Sequence, residues 1–345
     1  MRIPTQLTLG AALLGLLCAA PAVSAATIDG PEVSWKISMW SKPRALSAGM
    51  EMMAQRAAEA TGGKFQIKIY YGGQLSKARE GLDGLKINAF EGAAFCNFYH
   101  PGKNPAFMVF SLPFLPLGDP KVDQYVRPRM FEHPAMKADM ARWNAIPYVS
   151  GLLPQYEIMG RGDAPKTLED WKGLRVRAGG GLGAAMAKLG AVRQTMPAAE
   201  TGTAFRRGTI DAAAFPFTYA HVAFGTAEAA DWYTGNLTPG TSECGFVLNK
   251  TAYGKLPKQY QEFLMDMRGP IMDAIQAAYA EQDKKNLPAF EKSLTKIVYD
   301  AATLNRFREI AGKPVWDEWI AKNSGKFDAQ GVFDAVWKYA AEAQK

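Results

Sequence analysis

Trp171-Lys172-Gly173-Leu174-Arg175-Val176-Arg177 runs, after Ala178, into Gly179-Gly180-Gly181-Leu182-Gly183-Ala184. The first stretch alternates, so Leu174 and Val176 face one side of a strand and Arg175 and Arg177 the other. The glycines then turn the chain into a helix over 182–189. An arginine at the carboxyl end of a strand, facing a helix N-terminus, holds a carboxylate with a bidentate fork. In open α/β sheets the ligand crevice lies at those strand ends. The glycine run also fits the dinucleotide pattern G-x-G-x-x-A. It occurs once, deep in the chain, whereas a true fingerprint opens its own βαβ unit, so a carboxylate site is the better reading.

The same grammar extends in both directions. Upstream, Val33, Trp35, Ile37 and Met39 alternate as a strand does. Leu46, Met50, Met53, Ala54 and Ala57 form a helical stripe, which Gly62-Gly63 stops. Phe65, Ile67 and Ile69 alternate again, and a helix follows over about 76–86. Further strands are expected over 147–153 and 174–178. Strand alternating with helix is the pattern of an α/β fold with parallel sheets, and two such blocks predict two lobes. Downstream, apolar residues from Phe263 to Ala278 recur every three or four positions. They predict a helix over 258–287, about 45 Å long, kinked at Pro270 and running along both lobes.

Length and composition agree. The 345 residues are 48% apolar and 21% charged, near globular averages, and the length predicts about two domains. The net charge of +7 is spread thinly, without the basic patch that a nucleic-acid binder concentrates. Residues 1–25 read as an export signal: one charge at Arg2, an apolar run over 7–20, and small residues at Val23-Ser24-Ala25. The run is too short to span a membrane comfortably, so the mature chain is expected in the periplasm. Its removal leaves Cys96 and Cys244, either paired or as two buried thiols.

Catalytic signatures are missing. The three histidines, His100, His133 and His221, form no metal-binding pair, and there is no nucleophile elbow or Walker loop. No catalytic residue, cofactor or metal ligand set is assigned.

Asp170 to Arg177, then Lys188-Leu189-Gly190-Ala191, then Gly208-Thr209-Ile210-Asp211-Ala212 together resemble the core of the TRAP transporter periplasmic solute-binding proteins. Thr61-Gly62-Gly63 through Gly73-Gln74-Leu75, and Leu256-Pro257 at a helix start, agree with that family in order and spacing. The resemblance implies a two-lobed periplasmic-binding-protein-like fold with a long helix spanning both lobes. Lobe I is expected over 26–154, with about 243–282 returning to it. Lobe II is expected over 155–242 with about 283–345. The implied function is capture of an organic acid by lobe closure and delivery to the TRAP membrane permease. A periplasmic enzyme acting on a carboxylic acid, or a receptor of another uptake or sensing system, is the alternative.

By the same resemblance Arg177 is the carboxylate-binding arginine, and Phe215, four residues after Asp211, lines the pocket. The Phe95–Tyr99 stretch is expected at the cleft, with Asn97 and Tyr99, and Trp40 and Tyr219 are further aromatic candidates. Glu157 falls where many relatives carry a second arginine, so a second ligand carboxylate would meet like charge there and a monocarboxylate is favoured. Gln155 and Glu243 stand where a cation-bridged subgroup has ligands, but Ala214-Phe215 replaces that subgroup's Glu-Trp pair.

Overall fold

The computed structural model describes residues 28–345, so the expected export signal lies outside the described residues. Strand β1 (Val33–Ser38) leads through a loop to α1 (Ala48–Ala60), whose buried Met50, Met53 and Ala57 form the expected stripe. Gly62 and Gly63, both at positive φ, reverse the chain into β2 (Phe65–Tyr70). The next helix, α2 (Gly81–Lys86), is shorter than the 76–86 expected and precedes β3 (Gly92–Cys96). Helix α3 (Pro120–Phe131) starts where the Asp119 carboxylate accepts from Lys121 N and Val122 N, with Pro120 in the first turn. Helix α4 (Pro134–Ala141) and strand β4 (Ala145–Ser150) complete this part. The strand expected over 147–153 thus sits two residues earlier. Residues 151–155 carry the chain across to the second sheet instead.

That sheet begins with β5 (Tyr156–Gly160) and β6 (Arg175–Arg177), followed by α5 (Gly180–Lys188) and β7 (Val192–Gln194). Then come α6 (Ala198–Arg206), β8 (Ala212–Pro216), α7 (Tyr219–Ala223) and β9 (Trp232–Thr234). The chain crosses back to β10 (Cys244–Asn249), short α8 (Lys250–Lys255) and α9 (Lys258–Asp266). Helix α10 (Arg268–Ser293) follows, then β11 (Thr295–Ile297), α11 (Ala301–Ala311), α12 (Lys313–Asn323) and α13 (Ala329–Ala343).

The first sheet has the order β2-β1-β3-β10-β4 and the second β11-β9-β5-β8-β6-β7. In the first, β1 runs parallel to β2 and β3, while β10 is antiparallel to β3 and β4. In the second, β8, β6 and β7 are parallel and β5 opposes β8. The architecture is therefore α/β with two lobes.

The long helix differs in detail from expectation. It breaks at Met267, leaving Pro270 as the third residue of α10, where its missing N–H interrupts no ladder bond. It then continues past 287 to Ser293, about 39 Å at 1.5 Å per residue. Helix α10 touches both lobes: Gln276 Nε2 donates to Leu152 O at 2.8 Å, and Asp283 accepts from the Thr218 hydroxyl at 2.7 Å. The last helices divide between the lobes: α12 reaches α5 of the second lobe, where Glu318 pairs with Lys188 at 2.5 Å, whereas Val332, Phe333 and Val336 of α13 pack in the same apolar cluster as Val122, Val126 and Met130 of α3. Amphipathic patterning reports that a helix buries a face, not which lobe it buries it against.

Candidate ligand-binding site

The parallel strands end at one place. After β1 comes the Trp40–Arg44 loop, after β3 come Phe98 and Tyr99, β6 ends on Arg177, and β8 ends before Tyr219. These carboxyl ends enclose a small, tightly walled interlobe hollow. Trp40, Arg44, Phe98 and Tyr99 line it from the first lobe. Tyr156, Arg177, Phe215, Tyr219 and Phe224 line it from the second. A disulfide between Cys96 and Cys244, opposite each other on β3 and β10, forms part of the wall. The sequence left that pairing open.

Arg177 is 2% exposed. Its Nη1 donates to Ala214 O at 3.0 Å, and Nε and Nη2 share Met196 O at 3.4 and 3.3 Å. The guanidinium carbon lies 4.3 Å from the Phe215 ring centroid and 5.8 Å from that of Phe98. A guanidinium has five N–H donors, so two remain. Among the described residues no carboxylate is ion-paired to it. A buried charge without a counter-charge is costly, and a fork with spare donors fits a carboxylate.

Arg44 was not singled out from the sequence, yet it lines the same hollow. Its Nη1 donates to the Tyr219 hydroxyl at 3.0 Å and its Nε to the Ser41 hydroxyl at 2.9 Å. The guanidinium also lies 4.9 Å from the Trp40 ring and 5.5 Å from the Phe224 ring. It belongs to the loop after β1, so like Arg177 it is an arginine beyond a strand's carboxyl end. Tyr156, also missed, is buried beside both guanidiniums. Burial holds its phenol well above the usual tyrosine range, so it stays a neutral donor.

The lobes meet around this hollow. Ala198 N, at the start of α6, donates to the Tyr99 hydroxyl at 2.8 Å, and Trp40 stacks on Phe224 at 6.1 Å. On the far side, Gly181 N donates to the Ser111 hydroxyl at 3.3 Å. A Cβ on Gly181 would sit 2.5 Å from Ser111 O. The glycine run therefore lets α5 start flush against the first lobe, a packing role for the dinucleotide-like pattern.

Four expected residues are not brought to the hollow. Glu157 is buried, but its carboxylate accepts from the Thr234 hydroxyl and from Leu237 N and Thr238 N at 3.2 and 3.1 Å. Burial pushes its pKa up to about 8 against those bonds, so near neutrality it is largely protonated. The expected clash between Glu157 and a second ligand carboxylate is thereby overturned. Gln155 donates to Leu117 O. Asn97 is consumed by Phe107 O, Phe98 N and the Ser242 hydroxyl. Glu243 pairs with Arg127 at 2.6 Å and accepts from the Ser150 hydroxyl at 2.9 Å, away from the hollow. Arg175, half exposed, pairs with Asp211 on the surface. Among the described residues no three His, Cys, Asp or Glu side chains gather as a cation site.

A family model for bacterial extracellular solute-binding proteins, family 7 (DctP), matches residues 37–323. The chain belongs to this family. That bears out the resemblance read from Asp170 to Ala212, and with it solute binding as the function. A monocarboxylate 2-oxoacid-binding periplasmic protein of Nostoc sp. is 28% identical over 315 residues, 84% of each chain. Among solved structures, a marine metagenome TRAP solute-binding protein specific for aromatic acids, in complex with 3-hydroxybenzoate, superposes with a TM-score of 0.80. It is 18% identical and covers 92% of this chain and 100% of its own. A TRAP solute-binding protein from Bordetella bronchiseptica, with calcium and picolinate, has a TM-score of 0.76 at 21% identity, covering 91% and 93%. These structures share the fold of this family 7 protein. No helix among its described residues is long and apolar enough to cross a membrane.

Proposed function

We propose that this protein captures a small organic acid in the periplasm, with a monocarboxylate favoured, and delivers it to the membrane permease of a TRAP transporter. The observation that carries the reading is Arg177: a guanidinium 2% exposed, with spare donors and no carboxylate paired to it among the described residues. Burial in a low-dielectric hollow strengthens its attraction for an anion. The carboxylate takes the remaining N–H donors of Arg177, and the Tyr156 phenol adds a neutral one. The aromatic walls cover the ligand's apolar body. The ligand binds across both lobes, so it favours the closed arrangement by its differential affinity. The closed form then docks on the permease. The export signal over 1–25 accounts for the periplasmic site of capture.

Monocarboxylate preference is supported by the Nostoc relative, not by Glu157. Capture without chemistry is supported by the wall itself, whose polar side-chain groups are arginines, phenols and the Trp40 indole. His221 does not line it: its ring bonds Thr226 and Glu157 O, and burial pushes its pKa down to about 3.

The test is calorimetric. A panel of small monocarboxylates, 2-oxo acids and hydroxybenzoates included, is screened by thermal shift. The tightest binder is then titrated into the wild type and Arg177→Gln. The variant should bind at least tenfold more weakly, about 1.4 kcal/mol or more. Unchanged affinity sinks the assignment.

A further inference from the structure

The hollow holds more hydrogen-bond donors than one carboxylate uses. Arg177 enters from the second lobe, whereas Arg44 and Trp40 enter from the first, on the loop that follows β1. Two Arg44 donors go to Tyr219 and Ser41, which leaves three N–H groups. Trp40 is 8% exposed, and its indole N–H is buried without an acceptor. A buried donor left unpaired is costly, so an orphan of this kind in a ligand-site wall calls for an acceptor from the ligand. No side chain lining the hollow supplies a carboxylate. The walls between the two donor groups are aromatic: Phe215 stacks on Phe224 at 5.2 Å, with Arg177 against the first ring and Arg44 against the second.

We propose that Trp40 and Arg44 form a second oxygen-reading subsite, so that the preferred ligand is a ring-bearing acid whose carboxylate lies on Arg177 and whose second oxygen substituent lies on Trp40 Nε1 and Arg44. The inference rests on the reading of Arg177 as the carboxylate anchor and adds the ligand's other end. An acid lacking the second oxygen leaves the buried indole N–H unpaired, and sites built this way reject such analogues strongly. The cation in the subsite serves a hydroxyl, an oxo group or a second carboxylate alike, since each offers an acceptor.

The experiment titrates benzoate, 4-hydroxybenzoate and terephthalate into the wild type, Arg177→Gln, Arg44→Met and Trp40→Phe. Thermal melts check that each variant is folded. Wild type should bind one of the two para-substituted acids at least tenfold more tightly than benzoate. Tighter 4-hydroxybenzoate means that a neutral oxygen is read; tighter terephthalate means an anionic one, which keeps the subsite and overturns the monocarboxylate preference of the proposed function. Arg44→Met should cut the affinity for the preferred acid at least tenfold and that for benzoate less than threefold. Trp40→Phe, which keeps the ring and removes only the N–H, should also shrink the preference, so the test survives a misfolded Arg44 variant. Arg177→Gln should weaken all three acids together. Benzoate binding as tightly as the substituted acids, an equal loss for all three on Arg44→Met and Trp40→Phe, or no binding of any of them overturns the subsite. Failure of the Arg177 anchor has a different signature: Arg177→Gln then leaves every affinity unchanged.

Discussion

At the scale of single residues, a buried ionisable side chain serves different purposes according to what surrounds it. Glu157 and Arg177 are both buried, but Glu157 is wrapped by donors of its own lobe and Arg177 is left with carbonyls only. Arg177 was legible because a strand's alternation and a family motif converge on it. Glu157 was misread because its partners, Thr234, Leu237 and Thr238, lie about eighty positions downstream, where no local pattern reveals them. Its protonated state has a consequence for stability. Burial raises its pKa from 4.5 to about 8. Between those values the folded chain holds a proton that the unfolded chain has released, so stability falls as pH rises through that window. Differential scanning calorimetry from about pH 5 to about pH 9 should therefore show a steeper loss of Tm for the wild type than for Glu157→Gln. Parallel curves would remove Glu157 as the cause.

At the scale of elements, strand and helix alternation was readable because each element carries its own period. Strand β4 came out two residues early because Gly151 and Leu152 continue the apolar run after the ladder ends; residues 151–155 form a crossover, and crossovers carry no periodic signature. The partner crossover, between β9 and β10, is fixed by α3. Arg127, fully buried, donates to Ser242 O at 3.0 Å, pairs with Glu243 at 2.6 Å and with Asp123 at 3.3 Å. Removing one member of such a cluster leaves buried charge uncompensated. Arg127→Met should destabilise the protein by about 3–5 kcal/mol, measured by urea denaturation, with the thermal-shift response to ligand retained in the folded fraction. A loss under about 1 kcal/mol would mean that the cluster contributes little beyond its own desolvation. The sequence pointed to Glu243 as a cation ligand, and only the packing of α3 shows which charge it answers.

At the scale of the whole molecule, two lobes, two crossovers and α10 form a frame whose strand ends converge on one hollow. The lobes touch through side chains that also line it: Arg44 to Tyr219, Ala198 to Tyr99, Trp40 on Phe224. Contact between lobes and contact with ligand are thus made by the same groups, which couples capture to closure. The two-lobed plan was legible in the repeated strand–helix blocks. Of the first lobe's share of the site, Trp40 and Tyr99 were expected from the sequence, but Arg44 was not, because it acquires its meaning only when a loop some 130 positions before Arg177 folds over it. The most direct measurement is a crystal structure of the protein with the acid that co-purifies with it, its mass fixed by native mass spectrometry. Both carboxylate oxygens should lie in the interlobe hollow within about 2.7–2.9 Å of Arg177 nitrogens. An acid bound elsewhere, or Arg177 turned outward into solvent with the acid held by other groups, would contradict the account.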